Sequence, residues 1–289
     1  MKKLITITGP TASGKTSLSL KTANWIQNAE IISADSRQVY KYMNIGTDKV
    51  KDQKNIPHHL ISFIEPDQTF TAGQFKKIAR KKINNILKRN NIPLLCGGTW
   101  FYLRAVIDGL VLPQVAPDWD FREKKSQETT KKLFRELKEK DPRRAENIDE
   151  NNKRRLIRAL EIIKTTEKPV PKLKKDKLPY PILILGIKSE RKKAFKKIDR
   201  RVEEMITEGL EEEAKGLLEK YNKTPQETIG YSEWDDYFKG KKEKKEVIEE
   251  IKLHTKQYYK EQLKWYKNEK RITWVKNFKE AKEEIKKYL

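Results

Sequence analysis

Cysteine is almost missing from this chain: its 289 residues include one, Cys96, so no intrachain disulfide can form and a reducing cytosol is the expected compartment. Long hydrophobic runs are missing too, since no apolar stretch reaches the roughly 20 residues of a membrane-spanning helix. Lys2-Lys3 followed by Leu4-Ile5 resembles the start of a signal peptide, but Gly9-Pro10 breaks in where the apolar segment should continue. The protein is therefore expected in the cytoplasm, without a membrane. Histidine is scarce, and around the adjacent pair His58 and His59 no cysteine or carboxylate stands at metal-ligand spacing. A packing or hydrogen-bonding role is expected for both. Repeats and long low-complexity tracts are absent. Negative charge is in short supply: Lys+Arg 65 against Asp+Glu 42 leaves a net charge of +23. Such an excess points to a polyanionic partner, with compositional drift toward lysine as the bland alternative.

Against these absences one motif stands out. Gly9-Pro10-Thr11-Ala12-Ser13-Gly14-Lys15-Thr16 fits G-x-x-x-x-G-K-[ST]. The glycines let the backbone curl into a ring of N–H donors, the lysine reaches terminal phosphate oxygens, and the hydroxyl of Thr16 can ligate Mg²⁺. Lys2 to Thr8 reads as a buried strand before the loop, and Ser17-Leu18-Ser19-Leu20 as a helix opening behind it, whose N-terminus adds partial positive charge.

Further strands are read at Ala29 to Ser33, at Ile92 to Cys96 closed by Gly97-Gly98, and at Pro181 to Ile187; a short one is read at Arg271 to Val275. Thr71-Ala72-Gly73-Gln74 has capping-box spacing, and Phe75, Ile78, Ala79, Ile83, Ile86 and Leu87 follow at helical period, giving a helix over about 71–90. Short apolar strands alternating with amphipathic helices make the fold class α/β: a phosphate-loop-type parallel sheet wrapped by helices. Between the third and fourth strands the text turns helical, charged and punctuated by proline, without a strand signal. The predicted organisation is 1–112 as the first part of the core, 113–180 as an all-helical insertion ending in the solvated connector Lys172 to Lys177, and 181–289 as the second part with C-terminal helices.

A nucleotide hydrolase places a second acid at a strand end to help hold Mg²⁺. Only the strand leading to Asp35 ends in one, so Asp35 serves a metal as in a small kinase, removes a proton from a nucleophile, or caps a turn. Ser36 and Arg37 beside it extend a polar cluster at the carboxyl end of the sheet, where α/β folds bind ligands. In the insertion, Arg154, Arg155 and Arg158 recur on a helix and suit RNA phosphates and splayed bases. The helix from Lys244 to Lys267 is read with Val247, Ile248, Ile251, Tyr258 and Trp265 facing the core. Lys252, Lys256, Lys260 and Lys264 form a row away from it, either an RNA ridge or a solvated face.

Read in order, Gly9 to Thr16, Ser33 to Tyr40, Asn44 to Thr47, Pro57 to Leu60, Gly97-Gly98-Thr99, Arg154 to Glu161, Ile229-Gly230-Tyr231 and Thr255 to Lys267 resemble the tRNA dimethylallyltransferase (tRNA isopentenyltransferase) family. The resemblance covers essentially the whole chain. It implies transfer of a dimethylallyl group from dimethylallyl diphosphate to the N6 amine of the adenosine 3′ of a tRNA anticodon. Gly9, Pro10, Thr11, Ala12, Ser13, Gly14, Lys15 and Thr16 would then hold the diphosphate leaving group, with Mg²⁺ as cofactor on Thr16. The resemblance makes Asp35 the acceptor of the amine proton and Thr99 the hydrogen-bond partner of the bridging oxygen, with Lys15 completing the catalytic set. Asp35, Ser36, Arg37, Gln38, Thr99, Arg122, Arg154, Arg155 and Arg158 become the tRNA-binding set, the partners are the anticodon stem-loop and dimethylallyl diphosphate, and a monomer is expected. The chain departs from the family pattern at Trp100, Glu227, Tyr259 and Glu261. Two rivals use the same loop: a small-molecule or nucleoside kinase with ATP, and an RNA-binding protein that senses nucleotide.

Overall fold

Parallel strands covered by helices on both faces need apolar side chains pointing both ways, and the four strongest apolar runs of the chain meet that need. A computed structural model describes residues 2–221 and 224–289. The chain divides into two units, Met1–Gly109 with Lys177–Leu289, and Leu110–Asp176.

The first unit opens with β1 (Leu4–Thr8), α1 (Lys15–Ile26), β2 (Ala29–Ser33), β3 (His58–His59), α2 (Ala72–Lys88), β4 (Ile92–Gly97) and α3 (Trp100–Ile107). The second unit then contributes β5 (Leu110–Val111), α4 (Trp119–Ser126), α5 (Thr130–Lys140), α6 (Pro142–Ala145), α7 (Lys153–Thr166) and β6 (Lys174–Lys175). The chain returns to the first unit through β7 (Ile182–Ile187), α8 (Arg191–Thr207), α9 (Leu210–Lys220), α10 (Asp235–Phe238), α11 (Lys244–Lys267), β8 (Ile272–Val275) and α12 (Phe278–Tyr288). Among the described residues no helix is long and apolar enough to cross a membrane.

The sheet of the first unit has six strands in the order β3-β2-β4-β1-β7-β8, and every pairing is parallel. Alternation assigns the faces. Leu4, Ile32, Leu95 and Ile184 pack with Phe75, Ala79, Ile83 and Ile86 of α2 and Leu103 and Val106 of α3. Ile5, Ile7, Ile31, Leu94 and Leu185 point the other way, onto Leu18 and Ala23 of α1 and Ala281 and Ile285 of α12. A third cluster joins Val39, Tyr40 and Met43, which follow β2, to the buried stripes of α8, α9 and α11. The capping box at α2 is formed: Thr71 Oγ1 accepts the Gln74 N–H at 3.2 Å while Gln74 Oε1 accepts the Thr71 N–H at 2.8 Å. His58 and His59 are hydrogen-bonded at the sheet edge, to Ile56 O and to Glu30 Oε2, each at 2.7 Å.

Two readings of the sequence are corrected. On α11 the buried stripe is Val247, Ile251, Tyr259, Gln262 and Tyr266, while Tyr258 and Trp265 are partly exposed. An aromatic at each of two neighbouring positions offers the core either one, and the stripe takes the second. The stretch read as helical without strands also holds one short pairing, since Leu110 and Val111 run antiparallel to Lys175 and Lys174.

The second unit has its own core of Leu133, Leu137, Ala145, Leu156, Ile157, Ala159, Leu160, Ile162 and Val170. Its helices begin on side-chain caps: Asp118 accepts the Phe121 N–H, Thr129 the Lys132 N–H, and Asn152 the Arg155 N–H. Each cap satisfies an amide that the first turn leaves without a helical partner.

Candidate active site

The strand order brings three chain turns side by side. β4 lies between β2 and β1, and Thr8 is level with Gly97 as Ser33 is with Cys96. The phosphate loop after β1, the Gly97-Gly98-Thr99 turn after β4 and the Asp35 turn after β2 therefore share the carboxyl end of the sheet. The strands approach closely there: a Cβ on Gly97 would stand 2.2 Å from Ala34 O, and the Thr99 N–H donates to that same oxygen at 3.3 Å.

In the loop, Gly14 has φ 94° and forms the N-cap of α1 by backbone alone, with no side-chain cap. The first-turn amides are left for a ligand, the arrangement that suits an anion at a helix N-terminus. Lys15 Nζ bends back to Pro10 O at 2.7 Å. The side chain is partly exposed at the loop's mouth, but its ammonium is hemmed in, and burial draws its pKa down to about 8 against the favourable charges of Cys96 and Asp35. Thr16 is partly exposed one residue further on.

Across from the loop, Asp35 Oδ1 accepts the Arg37 N–H at 2.9 Å and the Gln38 N–H at 3.4 Å. Oδ2 has no hydrogen-bond partner among the described residues. The same carboxylate thus forms the turn with one oxygen and leaves the other unbonded. Thr99 stands at the N-cap of α3 without capping it. Its hydroxyl instead accepts the Ser36 N–H at 3.0 Å and reaches Ser36 Oγ at 3.3 Å. Gln38 is spent on structure, accepting from Ser33 Oγ and donating to Thr47 O and Asp48 O. Arg37 reaches Glu227 O at 3.1 Å, so the departure at Glu227 is met through main chain. Trp100 is 6 % exposed and packs edge-on against Tyr266 at 5.4 Å, inside the core. Tyr259 is buried edge-on to Phe195 at 5.7 Å, while Glu261 is exposed.

Two residues at this end, Arg201 and Gln262, escaped the sequence reading. Arg201 of α8 pairs with Asp48 at 2.6 Å and its Nε is buried without a partner. Burial lowers its pKa to about 10 and the charge of Asp35 opposes the fall. The signal was available: Arg201 stands three residues after Ile198 and four before Met205, on an otherwise apolar stripe. Gln262 interrupts the stripe of α11 in the same way. Tyr258 of α11, partly exposed, also lies within range of the charge of Asp35.

The arginines of the second unit form a separate group. Arg122 donates to both oxygens of Glu161 at 2.7 and 2.8 Å, Arg158 donates to the same carboxylate and to Val115 O, and the Asp118 N–H adds a further bond. Glu161 is fully buried. Burial opposes its charge, but the two guanidinium groups outweigh it and hold the carboxyl below its usual range. Arg122 also covers the exposed Trp119 ring at 5.0 Å. Arg154 and Arg155 are exposed on the first turn of α7. On α11, Lys252 is paired with Glu203 and Glu249, and Lys256 with Asp199. That half of the lysine row is engaged within the protein.

Comparison with known proteins identifies the family. A family model described as IPP transferase matches residues 38–269. The chain is 40% identical to a tRNA dimethylallyltransferase of Halothermothrix orenii, over 98% of this chain and 92% of that one. It is 41% identical to a protein of the same name from Carboxydothermus hydrogenoformans, over 98% and 95%. Among solved structures, the full-length tRNA isopentenylpyrophosphate transferase of Bacillus halodurans matches with a TM-score of 0.74 at 36% identity, over 100% of this chain and 95% of that one. A eukaryotic dimethylallyltransferase acting on tRNA matches with a TM-score of 0.74 at 29% identity, over 92% and 70%. With family model, sequence relatives and solved structures in agreement over nearly its full length, the chain belongs to the IPP transferase family.

Proposed function

We propose that the protein transfers a dimethylallyl group from dimethylallyl diphosphate to the N6 amine of the adenosine 3′ of a tRNA anticodon, giving N6-isopentenyladenosine and diphosphate. The observation that carries this reading is the meeting, at one end of the sheet, of an anion-binding loop with a carboxylate that keeps one oxygen unbonded. In the reaction the bond from the prenyl carbon to the bridging oxygen breaks and a bond from that carbon to N6 forms. Lys15, Arg201 and the first-turn amides of α1 would take up the charge that grows on the leaving diphosphate. The Thr99 hydroxyl would donate to the bridging oxygen, and Asp35 Oδ2 would accept the amine proton.

Thr16 fits a magnesium ion, which takes few protein ligands and fills its shell from substrate phosphates and water. When bound, Mg²⁺ would add to the charge neutralisation of the diphosphate. Ser36 and Arg37 flank the place of the adenine. On the second unit, exposed Arg154 and Arg155 would meet RNA phosphates, and Arg122, spread over Trp119 and held by Glu161, would offer a flat cationic face for a base. The single cysteine is in keeping with a reducing cytoplasm, and the net charge of +23 supports RNA as the partner. Incubation with tRNA and either dimethylallyl diphosphate or ATP tests the reading: diphosphate release that requires tRNA supports it, and ADP formation replaces it with a kinase.

A further inference from the structure

α11 spends two of its most buried positions on polar side chains one turn apart. Gln262 is 4 % exposed and Tyr266 is 2 % exposed. Gln262 Oε1 accepts the Thr11 N–H at 2.7 Å, and its Nε2 donates to Gly98 O at 3.0 Å. The Tyr266 hydroxyl lies 3.1 Å from Gly9 O and 3.2 Å from Gly98 O, sharing its proton between them, and accepts from Thr8 Oγ1 at 3.1 Å. Burial pushes this phenol up to about 12, so it remains a donor at neutral pH.

Both side chains thus tie the phosphate loop to the turn after β4. These two turns carry Lys15 and Thr99, which would both act on the leaving diphosphate, one on its growing charge and the other at its bridging oxygen. The fit is tight: a Cβ on Gly98 would stand 2.7 Å from Gln262 Nε2 and 3.5 Å from Lys15 Nζ. A leucine at 262 would fill much the same space, strip the part-buried Thr11 N–H of its acceptor and leave Gly98 O only the shared Tyr266 hydroxyl. The Thr11 amide also has a partner already, which takes it out of the donors available to a diphosphate.

We propose that Gln262 and Tyr266 are positioning residues that lock the phosphate loop against Gly98-Thr99, so that the leaving-group clamp and the Thr99 hydroxyl address one diphosphate. The inference rests on the prenyl transfer proposed above. A misplacement of about 1 Å between reacting groups costs on the order of 100-fold in rate. Gln262→Leu is therefore expected to lower kcat roughly 10–100-fold while the Kd for tRNA stays within about twofold.

The test combines Gln262→Leu, Gln262→Glu and Tyr266→Phe with three readouts: amide hydrogen exchange at Thr11, affinity for inorganic diphosphate, and steady-state kinetics. Thr11 exchange should quicken in Gln262→Leu and slow again in Gln262→Glu, which restores the acceptor. Turnover should stay low in Gln262→Glu, because the link to Gly98 O is still missing. Adding Thr99→Ala to Gln262→Leu should cost less than Thr99→Ala costs in the unaltered protein, since the hydroxyl is already out of place. Should Gln262→Leu not fold, Tyr266→Phe carries the same expectation, as it keeps the ring against Trp100 and removes only the hydroxyl. Normal kcat in the folded variants, or strictly additive losses, would overturn the proposal. If the unaltered protein makes no prenylated tRNA, the reaction itself is wrong, whereas an unprotected Thr11 amide and an unchanged diphosphate affinity would overturn the positioning role independently.

Discussion

The depressed pKa of Lys15 makes diphosphate binding pH-dependent in a range where an ordinary lysine would be silent. In the free protein the ammonium titrates at about 8, because burial disfavours its charge more than Asp35 and Cys96 restore it. A bound diphosphate favours the charged form and raises that pKa. The sign follows: the attraction is fully present below the free-protein value and is lost as pH rises through it toward the bound value. At pH 9.5 a lysine of pKa 8 is roughly 3% protonated, so affinity should fall about 30-fold from its value at pH 7 if the bound pKa lies above 9.5. A lysine of ordinary pKa would lose only about 10% over the same interval. The ligand contributes little there, since a phosphate monoester loses its last proton near pH 6, about two units lower. Calorimetric titration of dimethylallyl diphosphate without tRNA, at fixed free Mg²⁺ from pH 7 to 9.5, reads the effect. Lys15→Ala should bind more weakly and show no slope above pH 8. A flat profile in the unaltered protein would show that Lys15 is not the group meeting the diphosphate.

Asp35→Asn keeps the turn acceptor and removes the base; kcat should drop on the order of 10²–10⁴-fold in single-turnover assays with little change in tRNA affinity, and near-normal turnover would remove Asp35 from proton transfer. Arg154→Ala with Arg155→Ala should weaken tRNA binding and flatten the slope of log affinity against log salt by roughly 0.7 for each lost single-strand phosphate contact, while an unchanged slope would move the RNA contacts elsewhere. Glu30 is buried, and although burial opposes its charge, hydrogen bonds from Arg89, Asn91 and His59 hold its pKa at about 2. Its contribution should be present above the unfolded-state value and fade as pH falls from near 4.5 toward 2, by the equivalent of roughly 2–3 kcal/mol in urea midpoints; Glu30→Gln should remove that share of the acid-side drop and leave the share of other paired carboxylates such as Glu161.

The loop, the parallel sheet and Asp35 were readable because each has a local cause: glycine spacing, a two-faced apolar run, an acid at the end of a strand. The Gly9–Thr16 motif needs no tertiary context to be seen, and β2 spans the same Ala29–Ser33 stretch that the sequence marks. What escaped depends on partners distant in sequence. Arg201 and Gln262 are single polar letters on apolar stripes, legible as anomalies but not as neighbours of the loop until α8 and α11 are packed. The face of α11 was misjudged because Tyr258 and Tyr259 are adjacent and equally apolar in outline, and only the packing of Phe195 selects the second. β3, β5 and β6 are two residues each, too short for any periodicity. Glu161 gave no warning at all, for a carboxylate in a basic helix reads as a surface pair until two arginines are found closing over it.

The central claim is that this site places a dimethylallyl group on an adenosine of tRNA. Mass spectrometry of nucleosides from tRNA incubated with the protein, dimethylallyl diphosphate and Mg²⁺ tests it most directly. The account predicts N6-isopentenyladenosine in an oligonucleotide that includes the anticodon, formed one for one with diphosphate and absent with Asp35→Asn over the same time. Unmodified tRNA after diphosphate release, or the prenyl group on another nucleoside, would contradict it.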